Sequence, residues 1–151
     1  MTDRRPWLER SRAGEPFAQP EGDPRTDEFF ALLFAAQKRT TAYNALPPDP
    51  SNFGLMETML HELLGKVGKG VVVVPPIYVD VGVNVELGDN AFFNSNTTFL
   101  DTYPITIGRD VMVGPNCSFY AVGHPLRERE RNIRDPQTGE KIAHLATGKP
   151  I

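Results

Sequence analysis

One histidine, His124, stands in the segment FYAVGHPLRERERN, between a short apolar run and a strongly charged stretch. An imidazole titrates near neutral pH and can take a proton from a hydroxyl group, which is the work of a general base. Residue type alone leaves the role of His124 open between a catalytic base and a structural histidine beside a turn. The other two histidines, His61 and His144, are predicted to be exposed, one on a helix and one in a loop.

No metal site is predicted from these residues. His61, His124 and His144 share no metal-ligand spacing, so metal-dependent hydration is not expected. Cys117 is the only cysteine, which excludes an internal disulfide. Because Cys117 falls at an inward position of the unit VGPNCS, we interpret it as a small core residue and not as a nucleophile.

The element that must position His124 is a six-residue repeat that begins at Val81. The units are VGVNVE, LGDNAF, FNSNTT and FLDTYP, followed after a two-residue step by IGRDVM, VGPNCS and FYAVGH. Their first position is apolar in every unit, and their second is often glycine. This pattern predicts a parallel β-helix, with the apolar first residues inside and the glycines at corners where φ can be positive.

Three regions are expected along the chain. Residues 1–25 are rich in proline and glycine and are predicted to be a flexible arm. Residues 26–70 read as two helices, TDEFFALLFAAQKRTTAYN capped by Thr26 and SNFGLMETMLHELLGKVG capped by Ser51, the second ending at Gly65 or Gly68. Residues 71–151 hold the repeat, with a long loop over 124–148.

Composition and net charge limit the classes of partner that the protein is expected to bind. Sixteen lysines and arginines against nineteen aspartates and glutamates give a net charge of −3, so no strongly basic face is expected for nucleic acid. The sequence has no apolar run long enough for a membrane span or a leader peptide. These features predict a protein that binds neither nucleic acid nor membrane, in the cytoplasm.

Several segments together resemble the hexapeptide-repeat sugar O-acetyltransferases. They are AGEPF, LLGKVGKG, PPIYVDVGVNVELGDNAFFNSNTTFLD, PITIGRDVMVGPNCSFYAVGHP and GKPI. The resemblance implies a mainly β fold, a left-handed parallel β-helix preceded by an N-terminal two-helix segment. It also implies a homotrimer that transfers the acetyl group of acetyl-CoA to a hydroxyl of a maltose-, glucose- or galactoside-like acceptor.

The same resemblance assigns site residues. His124 of the GHP motif would be the catalytic base, and Asn94 would reach the acceptor. Asp80 matches a position that contacts the sugar, and Asp101 lies where acidic residues border the same pocket. Asparagine and aspartate also suit the corners of such a coil, so turn formation is the alternative role for these three residues.

The sequence departs from this family at identifiable positions. The acidic acceptor-binding residue expected near the N-terminus would fall on Gln19, with Asp23 nearby, and Ala146 and Thr147 replace an acidic and an aromatic residue before GKP. The groups that hold acetyl-CoA are expected in coils that would follow Ile151, so the β-helix is interpreted as incomplete, with little more than two coils. The alternative hypothesis is a truncated, inactive form that acts only by associating with a longer homologue.

Overall fold

The N-terminal part of the chain is mostly helical. A computed structural model describes residues 5–47 and 49–151. Its first elements are α1 (Trp7–Arg12), β1 (Phe17–Ala18), α2 (Pro24–Asn44), a short 3-10 helix (Pro50–Asn52) and α3 (Phe53–Leu63). Helix α2 begins two residues before the stretch predicted to be helical, α3 lies inside that stretch, and α1 is an additional helix that was not predicted.

A β-helix follows, built from short strands on three parallel sheets. The strands are β2 (Lys66–Val67), β3 (Val72–Val73), β4 (Ile77–Val79), β5 (Val85–Leu87), β6 (Phe92–Phe93), β7 (Thr97–Leu100), β8 (Ile105–Ile107), β9 (Met112–Val113) and β10 (Ser118–Tyr120). The sheets have the orders β2-β5-β8, β3-β6-β9 and β4-β7-β10. Each strand therefore stacks on the strand one coil earlier.

The register shows where each coil departs from the six-residue repeat. Lys66 pairs with Glu86, and Val85 pairs with Ile105, so one coil spans 20 residues. Three six-residue units account for about 18 of them, and the remaining two widen one corner of every coil. The prediction of little more than two coils is corrected, because each sheet has three strands and the stack begins at Lys66.

The first residues of the repeat fill the interior as predicted, with one exception. Leu87, Phe93, Phe99 and Val113 are buried in the main core, with the partly buried Ile107 and Phe119 packed against it. Val81 is also buried, but it belongs to a second cluster with Trp7, Phe17 and Phe29. It lies in a widened corner, where the two extra residues shift the inward positions.

Asparagine and aspartate, and not the second-position glycines, occupy most of the left-handed corner positions. Asn90, Asn96, Asp110 and Asn116 have φ angles between 58° and 65°, which these short polar side chains tolerate. Gly88 is needed for a different reason. A Cβ atom there would lie 2.5 Å from the backbone nitrogen of Arg109 in the next coil, so glycine permits the coils to stack closely.

The region predicted as a long loop over 124–148 contains regular structure. It comprises α4 (Glu128–Arg131), β12 (Asn132–Arg134) and β13 (Lys141–Gly148), and β11 (Val122–Gly123) directly precedes it. Strand β13 pairs antiparallel with β1, β11 and β12. The charged composition of this segment did not indicate strands, and the pairing of β13 with β1 and β11 is made across the fold.

The flexible arm predicted for residues 1–25 differs from the structure over residues 5–25. Trp7 and Phe17 are buried, and their rings pack on Phe29 of α2 with centroid distances of 5.0 and 5.8 Å. Two of the prolines that suggested disorder stand at helix starts. Pro6 precedes α1 and Pro24 opens α2, a position that favours proline.

Helix boundaries also differ from those predicted. Helix α2 begins at Pro24, and its cap is Asp23, whose carboxylate accepts a hydrogen bond from the Arg25 backbone, whereas Thr26 is buried. Ser51 lies in the 3-10 helix capped by Asp49, and α3 begins at Phe53. Helix α3 ends at Leu63, before either predicted glycine.

The end of α2 anchors the helices to the first coil of the β-helix. The Tyr43 hydroxyl donates to the Val73 carbonyl at 2.6 Å, and burial raises the Tyr43 pKa to about 12. The Asn44 amide bonds both the N–H and the carbonyl of Ile77, at 2.9 and 2.8 Å. This amide completes the hydrogen bonds of β4, which is an edge strand.

Replacing Tyr43 by phenylalanine is expected to lower the free energy of unfolding by about 1–3 kcal/mol, because the buried Val73 carbonyl loses its donor. Urea denaturation of the two proteins measures the difference. Tyr120→Phe is the matched control, since the Tyr120 side chain is 61% exposed. Equal stability of the Tyr43→Phe and Tyr120→Phe proteins would contradict this prediction.

Candidate functional site

The predicted catalytic histidine lies directly after β11, at the margin of the antiparallel sheet. His124 is exposed, and its Nδ1 lies 2.7 Å from the carbonyl oxygen of Leu145 on β13. A carbonyl oxygen only accepts hydrogen bonds, so Nδ1 must carry the proton. In the neutral ring, Nε2 is then unprotonated and can accept a proton from a ligand.

His124 lines a cavity of about 550 Å³. Four parts of the chain build its wall. They are the N-terminal segment (Gln19, Phe29), the widened corners of the β-helix (Asp80, Leu100, Thr102), the antiparallel sheet (Val122, His124, His144, Ala146) and α4 (Arg131). The cavity therefore exists only when the helices, the coil and the hairpin are packed together.

Asp80 is the predicted acceptor contact that shares this cavity with His124. Its side chain is half-buried, and burial raises the pKa of its carboxyl group above the ordinary range. The Thr102 hydroxyl donates to Asp80 Oδ2 at 3.3 Å, which opposes the rise. Asp80 thus presents a partly desolvated hydrogen-bond acceptor to a ligand.

Asp101 lies beneath the cavity and is fully buried. Its Oδ1 accepts hydrogen bonds from the backbone N–H groups of Asp80 and Val81, both at 3.0 Å, and its Oδ2 accepts one from Asn84 at 3.4 Å. Burial raises the pKa of this carboxyl group to about 7, against the effect of these donors, and the nearby Asp80 carboxylate adds to the rise. Asp101 does not line the cavity.

Asn94 lies on a different corner, after β6. Its Oδ1 accepts a hydrogen bond from the Ser95 N–H at 2.7 Å, and its own N–H donates to the Val113 carbonyl at 3.0 Å. It is absent from the residues that line the His124 cavity. Within one chain, the structure therefore brings together His124 and Asp80, and it places Asn94 and Asp101 elsewhere.

Of the two N-terminal candidates for an acceptor contact, one lines the cavity and the other does not. Gln19 lines the cavity, where the resemblance implies an acidic residue. Asp23 is engaged in capping α2 and in an ion pair with Arg25, whose hydrogen bonds lower the Asp23 pKa to about 2. The neutral amide of Gln19 is consequently the N-terminal polar group available to a ligand in this cavity.

Sequence reasoning missed two side chains of the cavity, Arg131 and His144. His144 is exposed as predicted, but it lies on β13 and not in a loop, and its ring centroid is 6.4 Å from that of His124. Arg131 ends α4 and follows the GHP motif closely in sequence. The run KIAHLATG, rich in strand-forming residues, is the signal that could have identified β13.

A second cavity of about 490 Å³ lies on the other side of the same sheet. Its lining comes from β10, β11 and the residue between them, and from the end of β13 and the segment that follows: Tyr120, Ala121, Val122, Gly123, Thr147, Gly148, Lys149 and Ile151. Val122 borders both cavities. A ligand in the second cavity would therefore lie close to the strand that carries His124.

The described ranges 5–47 and 49–151 contain neither a metal-binding group of side chains nor a membrane-spanning helix. No group of three or more histidine, cysteine, aspartate or glutamate side chains there is arranged to hold a metal ion. None of the helices in that part of the chain has the length and apolar character needed to cross a membrane.

Proteins of known sequence and structure resemble the chain over most of its length. No protein-family model matches the chain. Nodulation protein L of Rhizobium meliloti (strain 1021) is 31% identical over 143 residues, which cover 95% of the chain and 69% of that relative. A hexapeptide-repeat acetyltransferase of Vibrio cholerae O1 biovar eltor, solved with acetyl-coenzyme A, superposes with a TM-score of 0.71 at 31% identity over 92% of the chain and 68% of that protein.

The chain belongs to the hexapeptide-repeat sugar O-acetyltransferase family. Galactoside O-acetyltransferase of Escherichia coli (strain K12) is 32% identical over 127 residues, which cover 83% of the chain. The chain spans 59% of the length of that enzyme. His124 of the GHP segment lines the cavity, and the proposed function is based on this residue.

Proposed function

We propose that the protein transfers the acetyl group of acetyl-CoA to a hydroxyl of a sugar, with His124 as the general base. The observation that carries the proposal is the hydrogen bond from His124 Nδ1 to the Leu145 carbonyl, at 2.7 Å. It selects the tautomer whose Nε2 can accept a proton, in a residue that lines a cavity large enough for a sugar.

The proposed reaction needs one base, which takes a proton from the acceptor hydroxyl and later gives it to the leaving thiolate. His124 Nε2 takes the proton of an acceptor hydroxyl while the hydroxyl oxygen bonds to the carbonyl carbon of the thioester. The carbon–sulfur bond then breaks, and the thiolate of coenzyme A receives the proton from the imidazolium. The products are an acetyl ester and free coenzyme A thiol, and His124 returns to its initial state.

The acceptor is proposed to bind through the groups around His124. Asp80 would accept hydrogen bonds from sugar hydroxyls, and Asp101 would act through the corner that carries Asp80. Asn94 lies outside this cavity in its own chain, so its proposed role as an acceptor contact requires the Asn94 of a neighbouring subunit. That requirement favours the homotrimer implied by the resemblance.

The second cavity is the proposed place for the thioester end of acetyl-CoA. Its backbone-rich lining along Tyr120–Gly123 fits an extended pantetheine chain, and Val122 connects it to the His124 cavity. We further propose the left hand of the β-helix and a cytoplasmic location. The family supports the first, and a single cysteine is in keeping with the second.

Acetyl transfer should be measured with the purified protein as its source produces it. Acetyl-CoA and a panel of maltose, glucose and galactosides are supplied, and release of the free thiol is followed alongside mass detection of the acetylated sugar. We expect transfer to at least one hydroxyl acceptor. Absence of thiol release across a broad panel of hydroxyl and amine acceptors would refute the proposed function.

A further inference from the structure

The hairpin side of the cavity carries one arginine side chain, Arg131. Arg131 is half-buried at the end of α4, and its Nη1 donates to the carbonyl oxygens of Pro125 and Leu126, both at 3.3 Å. Within residues 5–47 and 49–151, Arg131 has no carboxylate partner within 4.0 Å. The two carbonyls orient the guanidinium without neutralising its charge.

His144 adds a hydrogen-bond donor beside Arg131. Asn132, which follows Arg131 directly, pairs with His144 across β12 and β13. His144 Nε2 lies 3.0 Å from the ammonium group of Lys141, which can only donate, so Nε2 is the acceptor and Nδ1 carries the proton. Arg131 and His144 therefore give this wall of the cavity a positive charge and N–H donors.

The opposite wall has a different character. Thr102 and Gln19 are neutral, and Asp80 is the one carboxylate among the residues that line the cavity. The Thr102 hydroxyl bonds Asp80 at its corner of the β-helix. Charge is thus divided across the cavity, with an acceptor for hydroxyl groups on the coil side and donors for an anion on the hairpin side.

We propose that the acceptor is a sugar with an anionic group, a carboxylate or a phosphate, which binds Arg131 and His144 while a hydroxyl faces His124. This inference rests on the proposed function and deepens it. A guanidinium suits both anions, because its fork of donors matches the paired oxygens of a carboxylate or of a phosphate. Glu128 acts on the Arg131 charge only from beyond 4.0 Å, so a neutral sugar would leave the guanidinium without a directly hydrogen-bonded anion.

Binding measurements test the inference without requiring acetyl transfer. Calorimetry on the same purified protein would compare glucuronate, glucose 6-phosphate and methyl glucoside as probes. We expect at least one anionic probe to bind about ten-fold or more tightly than methyl glucoside, as a hydrogen-bonded charge commonly provides. The stronger of the two anionic probes distinguishes a carboxylate from a phosphate acceptor.

Substitutions of two arginines on α4, Arg131 and Arg129, test the role of Arg131 and provide its control. Arg131→Gln should remove the preference for the anionic probe, and Arg131→Lys should restore part of it, because the charge returns without the fork. Arg129→Gln removes the same charge from an exposed position of α4 and should keep the preference. Equal losses in the Arg129→Gln and Arg131→Gln proteins would overturn the inference.

The two proposals fail in different ways. Tighter binding of an anionic probe, lost in Arg131→Gln, supports the inference even when that probe is not acetylated. Equal affinity for charged and neutral probes, unchanged in Arg131→Gln, overturns it while acetyl transfer to neutral sugars continues. Absence of thiol release from acetyl-CoA with every acceptor refutes the transferase function alone.

Discussion

Replacing His124 by alanine is expected to lower kcat for acetyl transfer roughly 100- to 10,000-fold, the usual contribution of a general base. The acceptor KM should change much less, because Asp80 and the rest of the cavity wall remain. The free energy of unfolding should also stay close to that of the parent protein, since His124 is exposed. Steady-state kinetics with saturating acetyl-CoA measures both parameters.

The matched control for this substitution is His61→Ala. His61 is an exposed histidine on α3, far in sequence from the cavity, and its loss should leave kcat unchanged. A His124→Ala enzyme with kcat within ten-fold of the parent would contradict the assignment of the base. Nitrogen NMR adds a direct check, because the hydrogen bond to Leu145 predicts a proton on Nδ1 of neutral His124 and none on Nε2.

The β-helix was predictable because its signal is periodic. Apolar first positions such as Phe93 and Phe99 recur at six-residue steps, and the structure buries both completely. The widened corner was harder to predict, since Val81 fits the six-residue frame and yet packs outside the prism, against Trp7. An apolar residue satisfies either position, so the pattern alone could not distinguish the two cores.

The candidate site was predictable only where a local motif marks it. His124 stands in GHP, and Asp80 directly follows β4, at the start of a corner. Arg131 and His144 reach the cavity through the pairing of β12 with β13, and Gln19 reaches it through the pairing of β1 with β13. The β12–β13 pairing is a local hairpin, but its position at the cavity, like the pairing of β1 with β13, depends on the packing of the whole fold and is not encoded by neighbouring residues.

Asp101 shows how a residue can matter to this cavity without lining it. Its carboxyl group accepts backbone hydrogen bonds from Asp80, Val81 and Asn84, the residues of the widened corner below it. Ser11 of α1 docks on the same corner, because its hydroxyl donates to the Thr102 carbonyl at 2.5 Å. The corner therefore joins the coil, the N-terminal helix and the wall of the cavity.

The ionisation of Asp101 should make stability depend on pH. The pKa of its carboxyl group rises from an ordinary value of 3.8 to about 7 in the fold. A raised pKa means that the folded state prefers the protonated form, so this contribution is complete below about pH 4 and is lost as the pH rises through about 7. The Asp101→Asn protein, which cannot ionise there, should lack this loss.

Replacing Asp101 by alanine is expected to lower the free energy of unfolding by about 2 kcal/mol or more, because the N–H groups of Val81 and Asn84 lose their acceptor at a buried site, whereas the Asp80 N–H keeps the Phe99 carbonyl. Asp101→Asn should cost less, since an amide oxygen can keep the two bonds of Oδ1. Urea denaturation at pH 5 and pH 8 compares both variants with Asp27→Asn, which neutralises an exposed carboxylate on α2. Equal stability of the Asp101→Ala and Asp27→Asn proteins would mean that the corner does not depend on Asp101. A separate measurement of acceptor affinity tests the link to the cavity. Loss of affinity in Asp101→Ala but not in Asp27→Asn would show that the carboxyl group of Asp101 holds Asp80 in place for the sugar.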